Sequence, residues 1–487
     1  MPRVTALMGQ RSCCSDRLMT PRPWLRTFAL VGALHAALTP LHAARALAAS
    51  PLIERLDEGR QQTIVVYGTS LTAGGAWVSQ VASVLDGQYP GQITWINSGQ
   101  SGKASNTGVA LLQSAVLAHS PDAVLIEFAM NDAFTAYATT DLDYGISPEQ
   151  SQANLNSMID SLQAARPETQ IVLQTMNPAW DAPNGRGSAT KRPQLAAYYQ
   201  GYRDVAAQRD LTLVDNNLVW RQIQDNTPSV FETYVADGTH PNAAGYSAVT
   251  TPAVLWQLGA DTGLTLAVDL KTGRAVLQNR SNAAVDLISY SIRSPSGALQ
   301  TSWRSLADRG NAQWAEANAT PFALSELNAT GATTLAPGVA ANLDVAWDAS
   351  RALDLELVYQ AADGVARAGA VVYTQLADDQ NLTGDFNGDG VVSGADFLQW
   401  QRSVGAAATP FVGADDNGDG VVDERDLAAW FAGYGTPLAV PGAALATVRV
   451  VPEPAAARIA VVLAVTHFFA RGIAGRVCDV TAGILAR

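Results

Sequence analysis

The chain has 487 residues, 48% of them hydrophobic and 15% charged, with a formal net charge of -13. That composition excludes a chain disordered throughout, and a length well past the roughly 250–300 residues at which single cores stop growing requires more than one domain. The acidic balance argues against a nucleic-acid partner, since a phosphate backbone is neutralised by Lys and Arg. The three cysteines, Cys13, Cys14 and Cys478, avoid the long middle of the chain, so neither a disulfide framework nor a cysteine metal site holds the central domains.

In chain order, residues 1–49 read as a signal peptide. Arg22 and Arg26 supply a positive start, residues 27–41 an apolar stretch broken only by His35 and Pro40, and Ala46-Leu47-Ala48 a small-residue cleavage pattern. The expectation is a secreted protein or one held at the cell envelope or cell surface. Residues 50–260 alternate short apolar runs with helical periodicity. Strands are expected at 63–67, 93–96, 123–128, 171–175 and 212–214, and helices at 77–85, 107–119, 148–165, 191–209 and 242–258. Such alternation predicts an α/β fold, a parallel sheet covered by helices on both faces, with strands that are continuously apolar.

From residue 262 to 377 the pattern turns to strands, at 264–270, 274–278, 285–291, 341–347, 353–359 and 370–374, with short helical stretches around 302–306 and 314–316. This reads as a β-sandwich-like accessory domain that carries no catalytic constellation and serves as a spacer or surface-binding module. Residues 380–436 contain a short repeat, 384–392 against 414–422. An Ala/Pro/Gly-rich linker covers 437–450, and an apolar tail with scattered arginines covers 451–487.

Four blocks of the α/β region carry chemistry. Gly68-Thr69-Ser70-Leu71 follows the first strand, Gly99-Gln100-Ser101-Gly102 the second and Ala129-Met130-Asn131-Asp132 the third, while Asp237-Gly238-Thr239-His240-Pro241 precedes the last helix. All fall where an open α/β sheet binds ligands, at the carboxyl ends of its strands. Together they resemble the SGNH (GDSL-like) hydrolase family, which implies a flavodoxin-like three-layer α/β/α domain and an ester hydrolase. The first block departs from the family's usual Gly-Asp-Ser through Thr69, and the third from Gly-x-Asn-Asp through Ala129. Carried over, Ser70 is the nucleophile, His240 the base and Asp237 its orienting carboxylate. The Ser70 and Gly102 backbone N–H groups and the Asn131 amide are the oxyanion donors.

The residue types suit those roles. A serine hydroxyl needs a base within hydrogen-bond reach, and imidazole can take and return a proton near neutral pH. A carboxylate on one ring nitrogen fixes the tautomer, and losing one oxyanion donor typically costs about 3–4 kcal/mol of transition-state stabilisation. No cofactor is expected for catalysis. Asp132 and Asp215 read as structural, while Trp77 and Trp180 fit either the pocket or the core. The expected substrate is an ester, an acetylated polysaccharide in particular. A lipase or acyl thioesterase of the same family is the enzymatic alternative, and a surface or scaffold protein whose SGNH domain only binds a ligand the non-enzymatic one.

The repeat sets oxygen ligands at calcium-loop offsets. The first loop offers Asp385, Asn387, Asp389, the Val391 carbonyl, Ser393 and Asp396, with Gly390 at the turn; the second offers Asp415, Asn417, Asp419, the Val421 carbonyl, Asp423 and Asp426, with Gly420. The pair resembles a type I dockerin, implying structural calcium and a possible cohesin-like partner. Val451-Pro452-Glu453-Pro454 ahead of the apolar tail is similar to a PEP-CTERM sorting signal, which implies exosortase processing.

Overall fold

The computed structural model describes residues 50–183, 185, 187–376, 384–387 and 391–434. The signal peptide, the linker, the sorting tail and Asp389 lie outside the described residues. Among these residues no helix is long and apolar enough to cross a membrane.

The first domain begins with α1 (Pro51–Asp57) and β1 (Gln62–Gly68), followed by α2 (Ser70–Ala73), α3 (Ala76–Gln88) and β2 (Ile93–Asn97). Then come α4 (Ser105–Ala115), β3 (Ala123–Glu127), α5 (Ala129–Asp132), α6 (Pro148–Ala165), β4 (Gln170–Thr175), α7 (Leu195–Arg209) and β5 (Thr212–Asp215). The five strands are parallel, in the order β2-β1-β3-β4-β5. Ile64, Val65, Val66 and Tyr67 of β1 and Val124, Leu125 and Ile126 of β3 are buried without exception, as in a sheet covered on both faces. Local chemistry sets the helices. Ser147 caps α6 by accepting the Gln150 N–H at 3.2 Å, Pro148 fits its first turn, and Ser151, Leu155, Met158, Ile159 and Leu162 form the buried stripe. The helix expected from residue 191 starts at Leu195, just past Pro193, and the one expected over 107–119 ends at Ala115, with a 3-10 turn at Leu117–His119.

Two helices absent from the sequence reading follow β5: α8 (Asn216–Asn226) and α9 (Pro228–Tyr234). The final expected helix is α10 (Ala243–Gly245), a π segment (Tyr246–Thr250) and α11 (Thr251–Leu258). The chain order reverses between β1 and β3, so the crevice at their carboxyl ends is the switch point at which such sheets bind ligands.

The second domain is all β. It comprises β6 (Leu264–Asp269), β7 (Arg274–Asn279), β8 (Val285–Arg293), β9 (Trp314–Glu316), β10 (Ala323–Asn328), β11 (Thr333–Leu335), β12 (Ala340–Val345), β13 (Glu356–Ala361) and β14 (Ala366–Thr374). They join in the order β12-β7-β6-β14-β13-β8-β10-β9, with β11 on β8. β14 turns the corner: Ala366–Gly369 pair with β13 and Ala370–Thr374 with β6. Leu266, Leu277, Leu287, Ile292, Leu343 and Leu357 from both halves share one core.

Two expectations fail here. Residues 314–316 form strand β9 rather than a helix, because pairing with β10 decides the state of so short a segment. Around 302–306 the backbone is irregular, since the Leu306 and Ala307 N–H groups donate to the Glu326 carboxylate, both at 2.9 Å, instead of to helical carbonyls.

The β domain does not hang free. Val219, Trp220 and Ile223 of α8 and Phe231 of α9 belong to the same apolar cluster as Leu264 and Leu266. The Arg280 guanidinium lies 4.3 Å over the Trp256 ring and donates to the Trp256 carbonyl at 2.9 Å. The third region holds α12 (Gly394–Ser403) and α13 (Glu424–Gly433) around Phe386, Val392, Val422, Leu427 and Trp430.

Candidate active site and cation loops

β1 ends at Gly68 and the chain turns through Thr69 into α2, with Ser70 first. Thr69 is the N-cap: its backbone is extended and its hydroxyl oxygen accepts the Leu71 N–H at 3.2 Å. Ser70 Oγ lies 2.8 Å from His240 Nε2, and His240 Nδ1 lies 2.7 Å from Asp237 Oδ2. The other carboxylate oxygen, Asp237 Oδ1, accepts the backbone N–H groups of Thr239 at 2.8 Å and His240 at 2.7 Å. Partial burial pulls the Asp237 pKa up, but these bonds outweigh it and hold the carboxyl below its ordinary value. An ionised Asp237 takes the Nδ1 proton of His240 as its partner and leaves Nε2 to accept from the Ser70 hydroxyl.

Trp180 braces this turn from behind. Its indole donates to the Val235 carbonyl at 2.7 Å and its backbone N–H to Gly238 O at 3.1 Å. Trp77 is fully buried and donates to the Leu71 carbonyl at 3.0 Å. Neither ring lines the cavity. Asp132 accepts from Ser105 N at 2.7 Å and Asp215 pairs with Arg203 at 2.6 Å, both structural bonds.

A cavity of about 650 Å³ gathers Ser70, Gly102, Asn131, Asp237 and His240. Gly102 sits at φ +73°, a conformation that favours glycine, and its carbonyl accepts the Tyr137 hydroxyl at 3.1 Å. Among the described residues no protein group accepts the Ser70 or Gly102 N–H. The Asn131 amide gives one hydrogen to the Lys103 carbonyl at 2.9 Å, leaving the other. Three donors therefore border one cavity beside the Ser70 hydroxyl.

The sequence reading missed the rest of the wall. Phe134 and Tyr137 meet edge-on with ring centroids 5.0 Å apart. The Arg192 guanidinium lies 4.8 Å over the Phe134 ring, donates to the Met130 carbonyl at 2.8 Å and so tethers the residue beside Asn131. Lys191, Ser188 and Thr239 complete much of the lining. All of these but Thr239, which belongs to the block around His240, sit in the long connections before α6 and α7, where no spacing marks them.

The repeats share their local bonding. Asp396 accepts from Asn387 N at 3.1 Å and Ser393 N at 2.7 Å; Asp426 accepts from Asn417 N at 3.1 Å and Asp423 N at 2.8 Å. Each loop thus closes onto a capping box at the start of α12 or α13. In the second loop, Asp415 accepts from Gly418 N at 2.9 Å and Gly420 N at 3.0 Å. Asp415 and Asp426 are fully buried. Burial, then the charge of Asp426, pushes Asp415 up to about 7, and burial pushes Asp426 up to about 6. Among the described residues no group of three or more His, Cys, Asp or Glu forms a metal cluster by itself. The crowded, buried carboxylates of the second loop suit a hard dication. This loop also touches the β domain: the buried Arg309 side chain bridges Asp416 at 3.0 Å and Asp344 at 3.3 Å, and Asn311 donates to Asn417 O at 3.1 Å.

Residues 66–248 match the GDSL-like Lipase/Acylhydrolase family, and residues 383–429 match the Dockerin type I domain. The Thioesterase 1/protease 1/lysophospholipase L1 of Escherichia coli is 27% identical over 119 residues, 24% of this chain and 52% of that protein. The chain thus spans about half the length of the curated relatives it matches. Among solved structures, a catalytic mutant of an acetylxylan esterase from Geobacillus stearothermophilus is 21% identical, covering 41% of this chain and 95% of that one at a TM-score of 0.35. The lipase/acylhydrolase from Enterococcus faecalis is 24% identical, covering 41% and 95% at a TM-score of 0.33.

Proposed function

We propose, from the premise that residues 66–248 form a GDSL-like acylhydrolase domain, that the protein is an exported serine esterase that removes acetyl groups from carbohydrate. The observation that carries the reaction is the hydrogen-bonded chain from Ser70 Oγ through His240 to Asp237. Ser70 Oγ attacks the ester carbonyl as its proton passes to His240 Nε2. The oxyanion is held by the Ser70 and Gly102 N–H groups and the Asn131 amide. His240 returns the proton to the leaving alkoxide, giving acyl-Ser70. Water then attacks with His240 as base, and the acid leaves with Ser70 restored.

Two features support a small acyl group on a bulky polar alcohol. The His240 and Asp237 side chains remain 45% and 56% exposed, so a polymer reaches them. Among the described residues the cavity wall has aromatic rings, hydroxyls and cations but no Leu, Ile, Val or Met to receive a long chain. Acetyl esters should therefore exceed octanoyl esters in kcat/KM by about tenfold or more, and acetylated xylo-oligosaccharides should release acetate. A reversed chain-length order would favour the lipase or thioesterase reading.

The dockerin region is read as two calcium loops and the seat of a cohesin-like partner. The first ion would be held by Asp385, Asn387, Asp389, Val391, Ser393 and Asp396, and the second by Asp415, Asn417, Asp419, Val421, Asp423 and Asp426. Bound calcium would be structural, neutralising the buried carboxylates of each loop. Calorimetric titration of the whole chain should show about two calcium sites filling at millimolar calcium or below; no binding at millimolar calcium contradicts the reading. The signal peptide and the exosortase-type tail belong to the same extracellular or cell-surface setting.

A further inference from the structure

We propose that Glu127 is a positioning residue for Ser70: its buried carboxylate fixes the nucleophile turn from below, and Thr69 is the side chain that this carboxylate requires. The inference rests on the reading of Ser70 as nucleophile and goes beyond it.

Glu127 ends β3 directly opposite Gly68 in the β1–β3 ladder. It is 1% exposed, and the reaction above does not use it. Its Oε1 accepts the Thr69 N–H at 2.7 Å, the Thr69 hydroxyl at 3.0 Å and the Thr72 hydroxyl at 2.7 Å; Oε2 lies 3.2 Å from the Thr69 hydroxyl. The residues one before and two after Ser70 are therefore tied to one buried group. Gly68 is shaped by the same group, since a Cβ there would stand 2.3 Å from Glu127 Oε1.

The Thr69 hydroxyl has two duties. It accepts the Leu71 N–H as the cap of α2, and it donates its own proton to Glu127. Aspartate caps a helix as well as threonine does but, ionised, has no proton to donate. At residue 69 it would set a second acceptor against the Glu127 carboxylate. Burial already pushes the Glu127 carboxyl up to about 7, against the opposing pull of the Thr72 and Thr69 hydrogen bonds. A further negative charge there has nowhere to be solvated.

The test is a double-variant cycle in the full chain, read by kcat and KM on p-nitrophenyl acetate, by the rate of organophosphonate labelling at Ser70, and by melting temperature. Thr69→Asp should lower kcat and labelling by roughly 100-fold with KM within about threefold. Glu127→Gln keeps one accepting oxygen but turns the other into a donor, so it should lower kcat by about three- to tenfold with KM little changed and an equal or higher melting temperature. In the double variant the amide introduced by Glu127→Gln can donate to the new aspartate, so at least about tenfold of the loss should return. Thr69→Ser should stay within about threefold of the parent.

Near-native kcat in Thr69→Asp, or a double variant no better than Thr69→Asp, overturns the inference. If Thr69→Asp does not fold, Thr69→Val replaces it, with an expected kcat loss of about tenfold; an unchanged kcat is then the overturning result. Failure of the parent to label at Ser70 overturns the nucleophile reading and this inference together. Equal labelling of the parent and Thr69→Asp overturns the inference alone.

Discussion

Ser70→Ala is expected to lower kcat for a short acyl ester by about a millionfold while the fold stays intact. A nucleophile removed from a hydrogen-bonded set that acts as a unit costs about as much as removing the whole set. The expectation of an intact fold follows from the local bonding. Thr69, not Ser70, caps α2, and the Ser70 hydroxyl bonds to His240 Nε2. Replacing a partly exposed hydroxyl that bonds to an exposed imidazole should change stability by no more than about 1 kcal/mol. Turnover is read by p-nitrophenol release and folding by circular dichroism and melting temperature. Inactivity with a preserved melting curve is the expected pair of results.

Asp237→Asn should cost nearly as much, about 10⁴-fold in kcat. The substitution keeps an oxygen that can accept the Thr239 and His240 N–H groups now bonded at 2.8 and 2.7 Å, so the turn holds its shape. It places an amide where Oδ2 now accepts from His240 Nδ1. An amide N–H facing Nδ1 favours the tautomer with its proton on Nε2, which points that proton at Ser70 and removes the acceptor. The loss should appear in kcat with KM little changed, because Asp237 acts on the reacting proton and not on the bound substrate. A loss of less than tenfold would mean that Asp237 is no more than a turn residue.

Much of the first domain is legible in the sequence because local and tertiary preferences agree there. The run Ile64 to Tyr67 is β-branched and aromatic and becomes a fully buried interior strand of the sheet. Ser147 followed by Pro148 sets the start of α6 to the residue. The site blocks are legible for a related reason: each must lie at a strand end or a loop that reaches the switch-point crevice.

What was not legible depends on partners distant in sequence. Val219, Trp220 and Ile223 are spaced as one helical face, but the surface that buries them includes the β domain. Residues 314–316 are too short to carry any period, and β10 makes them a strand. The cavity wall draws Tyr137 and Arg192 from separate connections whose residues have no common spacing. Glu127 offered one signal, a lone charge closing an apolar strand, yet its duty emerges only once the β1–β3 register sets it beside Gly68.

The departure at Thr69 gains a physical reason from the same contacts. A hydroxyl there both caps α2 and satisfies the buried carboxylate. The spelling of the first block and the glutamate at the end of β3 therefore form one unit, although 58 residues separate them.

The central claim is that Ser70 carries the acyl group, and covalent labelling tests it most directly. The whole chain is treated with an organophosphonate, its mass is measured intact, and the modified peptide is sequenced. One adduct per chain, on Ser70, with hydrolysis lost in step and no adduct in Ser70→Ala, is the predicted result. An adduct on another serine, or full ester turnover in a chain quantitatively modified at Ser70, would contradict it.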